Sequence, residues 1–262
     1  MPWTFAHPAA VLPLWPYCPA WLRCGALVAG SLSPDLGYYL QRFDWATLAH
    51  TGAGSLLVGL PSGLCLYGLA YGLRKPLCHA LPQPHRAALW PLTQAPGPSR
   101  PGEWVALAVS VVLGAWTHTG WDSLTHRDGW VVAKLAWLRE SMRIGGTEFP
   151  VYALLQQFST VAGTLILLAC YRAWLRAQPA PAPSWQDDRG RYLLGSLAAL
   201  AALIAAVLVS LPTVADIQGT MAVRVLAFQL AVHGTAIFLP LFTLGALVFY
   251  GLSRPPSNDS ND

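Results

Sequence analysis

Five predominantly apolar stretches, residues 55–73, 104–121, 151–171, 192–211 and 224–252, dominate this chain and restrict the folds open to it. Each is long enough, or nearly so, to cross roughly 30 Å of hydrocarbon as an α-helix. Within hydrocarbon a backbone must satisfy its own polar groups, which leaves helices or closed barrels. The composition agrees: 54% of the 262 residues are hydrophobic, only 11% are charged, and mean hydropathy is +0.43, whereas soluble chains carry about 25% charged residues. The expectation is an all-α, polytopic helical membrane protein with about five full spans. The last stretch is long for one span, and Pro240 within it marks a kink or the point from which the helix tilts.

The first fifty residues are cut by Pro8, Pro13, Pro16, Pro19 and Pro34 into apolar pieces too short to span unaided, so they are expected to form short or re-entrant helices. No cationic segment precedes an apolar stretch with a small-residue cleavage site, which argues against a removable signal peptide. Residues 1–252 are expected to make one integral membrane domain, and 253–262, with PPSNDSND, a disordered polar tail. The five cysteines, Cys18, Cys24, Cys65, Cys78 and Cys170, have no ligand-like spacing, and their odd number argues against a complete disulfide framework. They read as small buried apolar residues.

The net charge of +4 does not point to nucleic acid, because the Lys and Arg residues lie in loops beside the apolar stretches, where anchoring at the membrane surface accounts for them. With five crossings, the Pro-rich loop 74–103, the loop 172–191 with its PAPAPS spacer, and the C-terminus share one side. His50, the run from His118 to His126 and the loop 212–223 share the other. The first side carries nine Lys or Arg and the second seven, so the count favours a second side facing away from the cytoplasm. Several of the tryptophans, among them Trp90, Trp104, Trp121, Trp130 and Trp174, stand near proposed span ends, as interfacial anchors do.

The run WTHTGWDSLTHRDGW places His118, Asp122 and His126 four residues apart at the end of an apolar stretch. On an α-helix three such residues project from one face, so two imidazoles and a carboxylate converge. Nitrogen and oxygen donors of this kind suit zinc and similar divalent ions, and ionisable groups at a membrane segment are costly unless paired, hydrated or metal-bound. A hydrogen-bonded His–Asp pair capping the helix is the competing explanation, and His126 fits either a ligand or a supporting donor.

Further donors fall on the same side. His7 in TFAHP precedes Pro8, which suits the first position of a helix. Asp35 in SPD reads as a helix start with Ser33 as cap, and such a start is also an ordinary structural feature. His50 precedes the small-residue turn TGAGS. Together His7, Asp35, His50, His118 and Asp122 supply three imidazoles and two carboxylates, enough for one closed site or for two ions sharing a carboxylate. His79 and His85 lie in the loop on the opposite side, and His233 stands alone in the last stretch, where bonding to a neighbouring helix explains it. There is no GxSxG elbow, HExxH motif or Walker loop, so serine-hydrolase, zincin and NTPase chemistry lack support.

The segments TFAHPAAVLPL, GSLSPD, HTG, HTGWDSLTHRDGW and LQQFSTVAG resemble those of a bacterial membrane family of unknown function, number four-one-eight-four in the domain-of-unknown-function series, over most of the chain. The pattern is more distantly similar to the YdjM-type membrane-bound metal-dependent hydrolases, with an N-terminal His, a PD, an HS or HT and a later HxxxD. These in turn resemble the helical zinc-dependent phospholipase C and single-strand nuclease superfamily. The resemblance implies that His7, Asp35, His50, His118 and Asp122 are metal ligands, with Asp122 as a bridge and His126 accessory to them, and that the cofactor is one or two divalent ions, zinc foremost. The further His and Glu group and the N-terminal amine that the soluble relatives use as ligands have no clear match here; Glu148 in GTEFP and His126 are the available substitutes, and no spacing demands either.

The resemblance implies hydrolysis of a phosphoester, such as that of a phospholipid, by a metal-bound water. The alternative is a non-enzymatic membrane protein whose polar cluster holds a structural metal or ties helix ends together. The expected partner is the lipid bilayer, in a bacterial inner membrane, without nucleic acid. A transporter is disfavoured because the ionisable groups gather at one interface rather than along a midplane path.

Overall fold

A computed structural model describes residues 3–12, 21–179 and 188–253. The PAPAPS spacer beyond Pro179 and the polar tail after Ser253 lie outside the described residues. The chain is helical almost throughout. Short helices come first: a 3₁₀ turn over Thr4–Ala10, α1 (Cys24–Leu32), a second 3₁₀ turn over Ser33–Asp35, α2 (Leu36–Tyr39) and α3 (Phe43–Ala49). Next are α4 (Leu60–His79), entered through a π turn at Ser55–Gly59, the one-turn α5 (His85–Leu89), and α6 (Pro101–Thr125). After α7 (Trp130–Lys134), strands β1 (Ser141–Ile144) and β2 (Thr147–Pro150) form an antiparallel hairpin. The chain finishes with α8 (Val151–Arg176), α9 (Arg189–Val214) and α10 (Gly219–Leu252).

Four of the five apolar stretches become helices long and apolar enough to cross a membrane: Ser55–His79, Val151–Arg176, Arg189–Val214 and Met221–Leu252. These helices outrun the stretches read from hydropathy because charged ends such as Arg74, Lys75 and Arg189 remain helical, with the Arg74 guanidinium donating to the Tyr71 and Thr93 carbonyls. At 34 residues, α10 continues through Pro240 and extends about 51 Å, well beyond the hydrocarbon thickness. The fifth stretch corrects the expected count. It forms the 25-residue α6, which is not among those four helices and whose apolar sequence is broken by Ser110, Thr117, His118, Thr119, Asp122, Ser123 and Thr125. Its buried face meets protein along most of its length.

The chain divides into two compact units. The first comprises Met1–Leu69 and Gly97–Trp174, the second Ala70–Pro96 and Leu175–Asp262. In the first, α1 lies directly on α6. A Cβ placed on Gly114 would stand 2.1 Å from the Leu27 carbonyl oxygen, and one on Gly30 would stand 2.0 Å from that of Val111, so the two backbones meet with no side chain between them. Ala26, Leu107 and Val111 form the buried core beside this contact, flanked by Leu60, Leu64 and Tyr67 of α4. Small residues permit the same closeness at α8, where Gly163 faces the main chain of Ala6 and the Thr160 hydroxyl accepts a bond from the Trp3 N–H.

In the second unit a stripe of Ala198, Ala202, Ala206 and Ser210, one residue per turn, is buried along α9. The Ser210 hydroxyl meets His233 Nδ1 of α10 at 3.1 Å, the cross-helix bond expected for that histidine. Among the described residues four cysteines are free. Cys78 is buried as expected, whereas Cys65 and Cys170 are exposed on long helices, where an apolar surround offers them packing without protein burial.

Candidate metal centre

Six donor-bearing side chains from four separate segments converge in the first unit. His7 sits in the middle of the first 3₁₀ turn rather than at a helix edge, because Pro8 lies inside that turn. Asp35 ends the short 3₁₀ turn that carries α1 into α2. Ser33 does not cap it; its hydroxyl donates to the Gly30 carbonyl at 2.9 Å. His50 immediately follows α3 as its C-cap. His118 and Asp122 lie one turn apart near the end of α6, as their spacing predicts. His126 departs from that prediction: the helix ends at Thr125 and His126 is extended, at φ −117° and ψ 144°.

Four of the six form a compact group. Asp35, His50, His118 and Asp122 each offer one ligand atom, and all four atoms lie within 4.8 Å of one another. His50 Nε2 is 3.2 Å from His118 Nε2, 3.2 Å from Asp122 Oδ2 and 3.5 Å from Asp35 Oδ1. His118 Nε2 is 3.4 Å from Asp35 Oδ1 and 3.3 Å from Asp122 Oδ2. Ligands placed tetrahedrally at 2.0–2.1 Å around an ion are separated by about 3.3–3.4 Å. Five of the six separations therefore match such an ion, and the sixth, between the Asp35 and Asp122 carboxylates, lies within 4.8 Å.

The surrounding hydrogen bonds decide which atoms face inward. His118 Nδ1 is 2.8 Å from the Ser31 carbonyl, and His50 Nδ1 is 2.7 Å from the Ala46 carbonyl. A carbonyl can only accept, so each ring carries its proton on Nδ1 and, when neutral, turns an Nε2 lone pair toward the other ligands. The Thr4 hydroxyl donates to Asp35 Oδ2 at 2.6 Å, leaving Oδ1 for the centre. That Oδ1 is buried and lacks a hydrogen-bond partner. Two lone pairs and two carboxylates thus meet in a buried space where a cation removes the conflict, and the supporting bonds are of the kind that orient metal ligands.

His7 and His126 flank the group. The His7 ring stacks on that of His118, with centroids 3.6 Å apart and planes 18° from parallel. Its Nε2 lies 3.5 Å from Asp122 Oδ1, and neither atom has a hydrogen-bond partner. Burial pushes the His7 pKa down to about 3, and the neighbouring His118 adds to the effect, so the ring is neutral at physiological pH. His126 Nδ1 lies 3.1 Å from the Asp122 carbonyl and its Nε2 is 3.4 Å from the Gln156 amide nitrogen of α8. His126 therefore braces the Asp122 turn and stands outside the group of four.

Three of the four ligands are fully or almost fully buried, whereas the His50 side chain is 21% exposed and forms the outer edge of the cluster. Sequence reasoning missed Thr4 and Gln156. Thr4 lies three residues before His7, a spacing that places both on one side of a 3₁₀ turn and was the available signal. Gln156, like the Ser31 carbonyl, acts through the tertiary fold and carries no local signal. The excluded His79 lies at the end of α4 rather than in a loop, in the second unit with His233.

The chain belongs to the family described as Domain of unknown function (DUF4184), whose model matches residues 1–250. No curated protein and no solved structure matches it.

Proposed function

We propose that this chain is a metal-dependent hydrolase embedded in the bacterial inner membrane, acting on a phosphoester such as that of a phospholipid, with its metal centre on the non-cytoplasmic face. The observation that carries the reading is the convergence of Asp35 Oδ1, His50 Nε2, His118 Nε2 and Asp122 Oδ2, with both imidazole Nδ1 protons held by main-chain carbonyls. Nitrogen and oxygen donors at these separations favour zinc among the common divalent ions. A divalent ion in such a site supplies Lewis acidity toward a phosphoryl oxygen and makes coordinated water acidic.

The chain's own residues divide the remaining work. Asp35, His50, His118 and Asp122 would hold the ion, with Thr4 and the Ser31 and Ala46 carbonyls orienting them and the part-exposed edge at His50 open to substrate. His7 Nε2 and Asp122 Oδ1 are buried donors without hydrogen-bond partners beside the four and would offer binding capacity for a further ion. A purely structural centre has no need of that capacity, and this favours the hydrolase over a structural role.

Metal analysis of the purified protein beside His118→Ala and Asp122→Ala tests the reading. Wild type is expected to carry zinc, manganese or iron and to hydrolyse generic phosphodiester or phospholipid substrates, and both variants are expected to lose metal and turnover. Equal absence of metal in all three removes the basis of the proposal. Metal retained by wild type without turnover on any substrate points instead to a structural centre. For sidedness, single cysteines introduced across residues 127–149 are expected to react with an impermeant reagent from outside the cytoplasm, and labelling only from the cytoplasm reverses the assignment.

A further inference from the structure

The second unit contains a polar cluster that the metal centre does not use. It gathers where the C-terminal ends of α4 and α10 meet the N-terminal end of α9. Arg86 and Arg191 are both more than nine-tenths buried, which is unusual for guanidinium groups without full compensation. Asp188, the N-cap of α9, lies 3.5 Å from Arg86 Nη2 and accepts from Arg191 Nη1 at 3.2 Å through the same oxygen, Oδ1. Its other oxygen accepts the Gln83 backbone N–H at 2.7 Å. Arg191 Nε also donates to the His79 carbonyl at 2.9 Å, and its guanidinium lies over the Phe249 ring with 5.1 Å to the centroid.

Two atoms in this cluster are unsatisfied. Arg86 Nη1 and His79 Nε2 are buried without hydrogen-bond partners. An anion with several acceptor oxygens answers the deficit at Arg86: it accepts from Nη1, as guanidinium sites do for phosphate.

We propose that Arg86, with Arg191 and His79 beside it, forms a binding site for a phosphate group at these helix ends. The same chemistry can come from a membrane lipid headgroup or from a free phosphate. Arg86 is the direct donor. Asp188 holds both guanidinium groups in place and also competes with the ligand for them.

The test uses the full chain in a non-ionic detergent, titrated by calorimetry with inorganic phosphate and, separately, with short-chain phosphatidic acid against a short-chain diacylglycerol control. Saturable heat with either phosphate-bearing probe supports the site. A response to the lipid alone assigns a headgroup, and a response to inorganic phosphate assigns a small anion. No saturation with either probe up to about 10 mM, a regime weaker than any specific site at this charge density, overturns the proposal. Arg86→Gln is expected to weaken binding about tenfold or more, the usual consequence of removing a charged donor. Asp188→Asn, which keeps both guanidinium groups and removes their competitor, is expected to bind more tightly.

A purely structural network predicts no such opposition, so unchanged affinity in R86Q, or an Asp188→Asn variant that binds no tighter, refutes the site. Helicity by circular dichroism accompanies each titration. If R86Q does not fold, Arg86→Lys replaces it, with severalfold weaker binding expected from the loss of the planar fork and equal binding counting against the proposal.

Discussion

Replacing Gly114 with alanine tests whether the α1–α6 contact sets the geometry of the metal centre. The added Cβ would stand 2.1 Å from the Leu27 carbonyl oxygen and 2.8 Å from the Ser31 nitrogen. Carbon and carbonyl oxygen approach comfortably at about 3.3 Å, so α1 must retreat by about 1.2 Å. The Ser31 carbonyl retreats with it. Its 2.8 Å contact with His118 Nδ1 then opens to about 4.0 Å, beyond hydrogen-bonding range. Overpacking costs about 1–3 kcal/mol and a stranded buried imidazole N–H another 1–3 kcal/mol, so a stability loss of about 2–6 kcal/mol is expected. Loss of a bond that orients a ligand typically weakens metal binding about 10–100-fold. Gly120 of the same helix supplies the control, because nothing lies within 4 Å of a Cβ placed there. Gly120→Ala is expected to be neutral or stabilising by up to about 1 kcal/mol. Thermal unfolding and competitive zinc titration of both variants decide the matter: a Gly114→Ala protein that loses stability but binds zinc as wild type does refutes the link between this contact and the centre.

Thr4→Val removes the hydroxyl that donates to Asp35 Oδ2 at 2.6 Å while keeping the side-chain shape, and zinc affinity is expected to fall about tenfold, as for other orienting groups. His7→Phe keeps an aromatic ring against His118 and removes both ring nitrogens, among them the buried Nε2 that faces Asp122. It is expected to retain one ion per chain by elemental analysis, and loss of all metal would make His7 an essential ligand. His126→Ala breaks the brace between Asp122 and Gln156, and is expected to lower thermal stability by about 1 kcal/mol with metal content unchanged.

The sequence made the membrane class legible because hydropathy is summed over many residues and needs no tertiary information. It counted α6 among the spans, whereas Thr117, His118, Thr119 and Asp122 toward its end leave that helix outside the four that are apolar enough to cross. His118 and Asp122 were legible because helical spacing fixes them on one face. Recognising Asp35 and His50 as their companions needed the shared side of the chain and the family resemblance, since their separation in sequence says nothing about contact. His126 was misplaced by extending helical periodicity across Thr125, where the helix stops. The hairpin over 141–150 escaped notice although Gly145–Gly146, both at positive φ, is the dipeptide that a two-residue turn requires. The Arg86, Asp188 and Arg191 cluster was invisible because the sequence places Arg86 more than a hundred residues from the other two.

The glycine contact between α1 and α6 also bears on which ions the centre can accept. In many sites a larger ion is accommodated by rotating ligand side chains outward. Here the His118 and His50 rings are pinned through Nδ1 to main-chain carbonyls, and the carbonyl that pins His118 belongs to a helix already in backbone contact with α6. Enlarging the cage means separating helices rather than turning rings. An ion such as calcium, which takes six to eight oxygens at about 2.3–2.6 Å, demands that separation, whereas an ion of zinc's size does not. For an ion held by these four residues, discrimination would reside in the stiffness of the helix pair, and a substitution far from any of them would broaden the range of metals bound by making that pair more compliant.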